Sequence, residues 1–139
     1  MLAYLAVAVG GLAGTGLRLA CDLAFPHADG ELPVETLIVN LVGAFALGWL
    51  VGGLWTRPTT PMWLKAGLGS GLIGSFTTLS AVMASLLALT RVGEPWLAAL
   101  YLLISVVGGL GLAAGGLRIG SLLAHRPMPT EITDAGETL

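Results

Sequence analysis

Polar side chains that could bind an ion lie inside apolar stretches of this sequence. Asn40 stands within VETLIVNLVGAFALGWLVGGL, and its amide carries donors and an acceptor that need partners where water is absent. Such an amide either joins two helices by hydrogen bonds or donates into a pore, replacing water around an anion. The residues alone leave both roles open for Asn40.

A second polar cluster lies in the apolar segment that contains GLIGSFTTLSAVMAS. Glycines are followed there by hydroxyl residues, namely Gly67, Gly69, Gly71 and Gly74, then Ser75, Thr77, Thr78 and Ser80. This composition predicts an interrupted helix, whose freed carbonyls need a cation, water or another helix. The hydroxyls could donate to an anion. A kinked packing helix is the alternative.

Two further sets of polar residues admit both a structural and an ionic role. Arg18, near the end of the first apolar stretch, could anchor the helix at the interface or attract an anion into a vestibule. Tyr101 and Ser105 are four positions apart and share a helical face, which could line a path or pack against a neighbour.

The elements that must position these residues are membrane helices. The 139 residues are 55% hydrophobic and 10% charged, and the mean hydropathy is +0.90, values that indicate an integral membrane protein. The predicted spans are Leu2 to Cys21, Val34 to Leu54, Met62 to Thr90 and Pro95 to Leu117. We expect residues 1–124 to form one four-helix domain and the polar segment 125–139 to be a disordered tail.

Topology is weakly encoded. With both termini in the cytoplasm, Arg57, Lys65, Arg118 and Arg126 lie inside, against Arg18 and Arg91 outside. This bias permits either a fixed orientation or insertion in both directions.

Several classes of protein do not fit the sequence. The carboxylates Asp22, Glu35 and Glu94 lie at the ends of the spans, which argues against a proton-coupled or cation-binding carrier. The sequence offers no metal-binding or nucleophilic constellation and no GxxxxGK motif, so we predict neither an enzyme nor a nucleotide-driven motor. The formal charge of −2 gives no basic footprint for nucleic acid.

Four motifs taken in order resemble the Fluc/CrcB fluoride channels. They are GGLAGTGLR, TLIVNLVGAFALG, GLIGSFTTLSAVMAS, and Tyr101 with Ser105 and the glycines that follow. The resemblance runs from about residue 8 to residue 117. It implies an all-α, four-helix subunit of the inner (plasma) membrane, with a broken third helix, that pairs antiparallel with a second subunit as a dual-topology dimer with two fluoride pores.

The resemblance also implies roles for particular residues. Asn40, Thr78, Ser80, Tyr101 and Ser105 would line or border the fluoride pore, and Arg18 would lie at its vestibule. Backbone carbonyls of Gly74 and Thr77 would hold a structural Na⁺ at the dimer axis.

This chain departs from the family pattern at TTLSAV, where the family reads TTFSTF. Leu79 and Val82 replace two phenylalanines whose ring edges contact fluoride in the family, and Ala81 replaces a threonine. We do not transfer the phenylalanine role to Phe76. We therefore favour a homologous but different partner subunit over a homodimer. The alternatives are a non-conducting supporting subunit and a small dual-topology drug exporter, which needs an embedded carboxylate.

Overall fold

Every regular element of the described chain is helical. The computed structural model describes residues 1–25 and 31–124. The helices are α1 (Leu2–Ala24), α2 (Val34–Gly52), α3 (Met62–Ala66), α4 (Gly74–Phe76), α5 (Leu79–Arg91) and α6 (Pro95–Ala124), and a π-helical segment, Gly67–Ile73, joins α3 to α4.

Four helical segments of the described chain are long and apolar enough to cross a bilayer. Their bounds are Leu2–Ala24, Val34–Gly52, Met62–Arg91 and Pro95–Ala124. The prediction of four spans with an interrupted third is confirmed. The first and last helices extend past the predicted ends at Cys21 and Leu117, and α2 ends two residues before the predicted Leu54. The predicted tail, 125–139, lies outside the described residues.

The helices pack in two pairs, and α5 adds to the second. α1 lies against α3, the π segment and α4, whereas α2 lies against α6, which also contacts α5. Contacts between α1 and α2 are sparse. Within the described chain the two pairs meet through a few contacts of α2 with α1, with the π segment and with α4.

Glycines four residues apart make both pairings possible. A Cβ on Gly10 or Gly14 of α1 would collide with the backbone carbonyl of Gly67 or Leu72. On the other seam, a Cβ on Gly116 would collide with a backbone carbonyl of α2. Helix backbones in lipid associate by close van der Waals approach, which needs small residues at the contact. These glycines thus determine which helices are neighbours.

The interruption of the third span lies after the glycine run. Gly67–Ile73 keeps helical hydrogen bonding in its wider π form and packs on α1, while Thr77 (φ −84°, ψ 152°) and Thr78 (φ −148°, ψ 122°) are extended. The predicted break is therefore confined to these two threonines. The glycines upstream serve helix packing.

Candidate ion pathway

Asn40 of α2 is bonded to the backbone of the interruption. Its Nδ2 donates to the Thr78 carbonyl at 3.0 Å, and its Oδ1 accepts from the Thr78 N–H at 2.8 Å. An extended residue inside a membrane has lost its helical partners, and unpaired backbone groups are costly there. The Asn40 amide supplies both missing partners. This contact joins residues 38 positions apart in sequence.

Gly43, one turn after Asn40, lets the interruption approach α2. A Cβ at Gly43 would collide with the Thr77 methyl group. The Thr77 hydroxyl donates back to the Ile73 carbonyl at 3.0 Å. The two threonines are thus held by α2 on one side and by the end of the π segment on the other.

The Thr78 side chain begins α5. Its Oγ1 accepts from the Ala81 N–H at 3.2 Å, as a helix N-cap does, and lies 2.9 Å from the Ser80 hydroxyl oxygen. Ser80 itself is exposed in the single chain. Two hydroxyls predicted to line a pore are therefore neighbours at the start of α5.

The interruption also removes the helical donors from two carbonyls. In a continuous helix the Gly74 carbonyl would accept from the Thr78 N–H and the Thr77 carbonyl from the Ala81 N–H. Those N–H groups donate instead to Asn40 Oδ1 and to Thr78 Oγ1. The carbonyls of Gly74 and Thr77 are the two predicted ligands of Na⁺, and oxygen ligands suit a hard cation. The described residues contain no cluster of His, Cys, Asp or Glu that could hold a metal.

A cavity of about 360 Å³, which we call the Asn40 cavity, opens beside the interruption. Its polar lining comes from Asn40, Thr77, Thr78 and Ser105, and the rest is apolar. Leu79 and Val82 also line it, but 71% of Leu79 is exposed in the single chain whereas Val82 is 5% exposed and packs with Tyr101. The two substituted positions therefore lie in different surroundings.

Tyr101 and Ser105 share a face of α6, as predicted, but only Ser105 lines the Asn40 cavity. The Ser105 hydroxyl donates to the Tyr101 carbonyl at 2.7 Å. Tyr101 is 1% exposed and packs against Val82, Leu89 and Ala98. Its hydroxyl oxygen is buried and forms no hydrogen bond with the described residues.

Arg18 belongs to a separate polar cavity of about 360 Å³, which we call the Arg18 cavity. Its lining includes Arg18, Asp22, Glu35, Thr36 and Ser85. The Arg18 guanidinium donates through Nη2 to the Thr36 hydroxyl at 2.7 Å, and its Nε lies 3.0 Å from a carboxylate oxygen of Asp22. Nη1 is buried and makes no hydrogen bond within the described chain.

The positive charge of Arg18 is offset by neighbouring carboxylates. The Thr36 hydroxyl in turn donates to the Glu35 carboxylate at 3.2 Å, so two carboxylates share the cavity with one guanidinium. α1 extends six residues past Arg18, which places this side chain about 9 Å inside the helix end. Arg18 is therefore held by specific partners.

Comparisons with known proteins agree with this architecture. Residues 5–117 match the family described as "CrcB-like protein, Camphor Resistance (CrcB)". The chain belongs to the CrcB family. A relative from Azotobacter vinelandii, named "Fluoride-specific ion channel FluC", is 40% identical over 119 residues, which cover 85% of this chain and 96% of the relative. A Geobacillus kaustophilus relative, "Fluoride-specific ion channel FluC 2", is 36% identical and covers 78% and 85%.

Membership of the CrcB family confirms the resemblance drawn from the four motifs. The relatives carry the name of a channel, in agreement with the prediction that the chain is not an enzyme. Four spanning helices in a member of this family make the chain a multi-pass membrane protein.

Sequence reasoning missed two partners of the predicted residues in this CrcB chain. Asp22 lies four positions after Arg18, so the ion pair could have been found from helical spacing. Thr36 gave no such signal, because it meets Arg18 only when α2 packs beside α1. The structure thus brings Asn40 together with Thr78, Thr77 and Ser105, while Arg18 lies in a different cavity.

Proposed function

We propose that this chain is a subunit of a fluoride-selective channel of the plasma membrane that lowers cytoplasmic fluoride by passive export. The names of the relatives support fluoride as the ion. The observation that carries the proposal is the interruption of the third span, which Asn40 holds beside a cavity with polar groups from three spans. The membrane potential supplies about 2.3 kcal/mol per charge per 100 mV for outward movement of an anion.

Fluoride leaves water only where donors replace its hydration in a narrow space. The Asn40 amide has two N–H groups, and one of them donates to the Thr78 carbonyl. We assign to the anion the second N–H, the hydroxyl of the Thr78 and Ser80 pair that does not donate to the other, and the Ser105 hydroxyl when it rotates away from the Tyr101 carbonyl. The buried Tyr101 hydroxyl would border the path, and Arg18 would lie at its vestibule, where its unpaired Nη1 is the donor left over from its bonds to Thr36 and Asp22.

A second subunit is part of this proposal. Gly74, Leu79 and Ser80 are exposed in the single chain although they lie near the middle of the third span. A backbone carbonyl and a hydroxyl facing hydrocarbon at that depth would be unfavourable. An antiparallel partner that covers them forms the dual-topology dimer, and its own carbonyls add to those of Gly74 and Thr77 around a structural Na⁺.

We favour a homologous but different partner over a second copy. Neither Leu79 nor Val82 offers the positive ring edge of a phenylalanine to an anion. A partner that retains both rings would complete one of the two pores. Two relatives carry numbered names, "FluC 2" in Geobacillus kaustophilus and "FluC 1" in Desulfitobacterium hafniense, which is consistent with more than one such chain in a cell.

Two alternative functions of the chain predict different experimental results. A non-conducting supporting subunit would leave all fluoride transport to the partner. A small drug exporter needs a membrane-embedded carboxylate, and the described carboxylates lie at or beyond helix ends, including the buried Glu35 in the first turn of α2.

Fluoride efflux from liposomes, measured with a fluoride electrode, tests the proposal. The chain is reconstituted alone and with a homologous chain that retains both phenylalanines, and chloride efflux from the same liposomes is the control for selectivity. We expect fluoride efflux only from the pair and no chloride efflux.

The outcomes separate the candidates. Fluoride efflux from liposomes that contain this chain alone would contradict the proposal of a heteromer but would support a fluoride channel. Efflux from the pair that is indifferent to Asn40→Ala in this chain would indicate a supporting subunit. Absence of fluoride efflux from every combination would contradict the channel.

A further inference from the structure

The charged side chains of the described chain divide unequally between the two ends of the helical bundle. The start of α1, the end of α2, the start of α3 and the end of α6 lie at one end, which we call the basic end. The charged side chains there are Arg57, Lys65 and Arg118. The described carboxylates, Asp22, Glu31, Glu35 and Glu94, belong to the opposite end.

A groove at the basic end combines an arginine side chain with apolar walls. A cavity of about 420 Å³ lies between the end of α2 and the end of α6, lined by Trp49, Gly53, Leu54, Arg57, Gly120 and Leu123. The Arg57 side chain forms no hydrogen bond or ion pair with any described residue. Trp49 is 42% exposed and Leu123 is 45% exposed, so the apolar walls are open to a ligand.

The neighbouring basic residues strengthen the positive field of this groove. The Lys65 ammonium donates to the Trp55 carbonyl at 2.8 Å, which holds it beside the segment that follows α2 and leaves two of its protons for other acceptors. Arg118 lies six residues before the end of α6, and its guanidinium has no partner among the described residues. An α-helix crosses about 30 Å of hydrocarbon in about 20 residues, so Arg118 of α6, which begins at Pro95, reaches the headgroup level.

We infer that this groove binds an anionic phospholipid. Its phosphate pairs with the Arg57 guanidinium, which presents a fork of donors suited to phosphate oxygens. One acyl chain lies along Trp49 and Leu123. Basic pockets between membrane helices bind anionic headgroups in this manner, and tryptophan is enriched at that depth. The inference does not depend on which ion the channel conducts.

Native mass spectrometry of the full chain in detergent, with added phosphatidylglycerol or phosphatidylcholine, tests the inference. Arg57→Gln removes the proposed phosphate partner, and Arg91→Gln removes an exposed arginine from the opposite end as the matched control. We expect wild type and Arg91→Gln to retain phosphatidylglycerol in preference to phosphatidylcholine. Arg57→Gln should weaken phosphatidylglycerol binding about fivefold, the equivalent of about 1 kcal/mol for one basic side chain near the surface. Arg57→Lys, which keeps the charge, should restore part of the loss.

Three results would overturn the inference. Undiminished phosphatidylglycerol retention by Arg57→Gln would remove Arg57 from the site, and an equal loss in Arg91→Gln would reduce the effect to net charge. The third concerns the carboxylates Glu131, Asp134 and Glu137 that follow α6 in sequence. If Arg57→Gln and their joint neutralisation lower the melting temperature equally without added lipid, the occupant is the chain's own terminal segment.

Discussion

Replacing Asn40 by alanine removes both hydrogen bonds that hold the extended residue Thr78. The bonds are 3.0 Å and 2.8 Å long and satisfy the carbonyl and the N–H of the same residue. A buried polar group left without a partner costs about 1–3 kcal/mol, so two such groups cost about 2–6 kcal/mol. The alanine variant should therefore lose stability in addition to any lost contact with the ion.

The aspartate variant separates the two bonds. Asn40→Asp keeps an oxygen that can accept from the Thr78 N–H, but its second oxygen faces the Thr78 carbonyl at the position now occupied by the donor. Repulsion between the two oxygens and the added negative charge should abolish fluoride efflux if Asn40 lines a conducting pore. Ser105→Ala is the matched control for stability only, because Ser105 lines the same cavity but its hydroxyl bonds a carbonyl of its own helix.

Two assays on the same preparations decide between roles for Asn40. Thermal unfolding is followed by tryptophan fluorescence. The melting temperature should fall clearly in Asn40→Ala and change little in Ser105→Ala. Fluoride efflux is measured from liposomes that contain this chain and its partner subunit. It should fall at least about tenfold in Asn40→Ala, since a loss of 1.4 kcal/mol in the interaction with the ion corresponds to a factor of ten. An alanine variant with unchanged melting temperature would refute the reasoning that Asn40 holds the interruption, whatever its efflux.

Two further predictions concern packing and use melting temperature as the measurement. Val82→Phe should lower the stability of the protein by about 1–3 kcal/mol, because Val82 is only 5% exposed and a larger side chain would overpack the site. Leu79 is 71% exposed in the single chain, so Leu79→Phe should change the melting temperature little. Equal effects of the two variants would contradict the difference in burial between the two positions. Gly116→Leu should separate α2 from α6 and lower the melting temperature, since a Cβ there would collide with the Phe45 carbonyl. Gly111→Leu is the control, because its side chain would enter space where nothing lies within 4 Å. A stable Gly116→Leu protein would show that the contact between α2 and α6 does not depend on this glycine.

The number and approximate positions of the spans could be predicted because they follow from local composition. Each apolar stretch must satisfy its own backbone hydrogen bonds in lipid, and a helix does so wherever the stretch is long enough. The interruption of the third span was also local in origin. Its extent was predicted too widely, because the glycines that favour unwinding in the sequence form a π segment in close contact with α1.

The partners of the polar residues depended on tertiary structure. The sequence is equally consistent with a packing role and a pore role for Asn40. The Thr78 backbone comes within hydrogen-bonding distance of the Asn40 amide because Thr77 packs closely against Gly43. The Arg18 contact with Thr36 has the same origin, since it requires α2 to lie beside α1. The sequence by itself thus determined a four-span membrane protein of the CrcB family with polar groups at membrane depth. Which backbone groups those side chains satisfy, and which carbonyls they leave free, was decided by helix packing, because hydrogen bonds between distant residues exist only after the helices have associated.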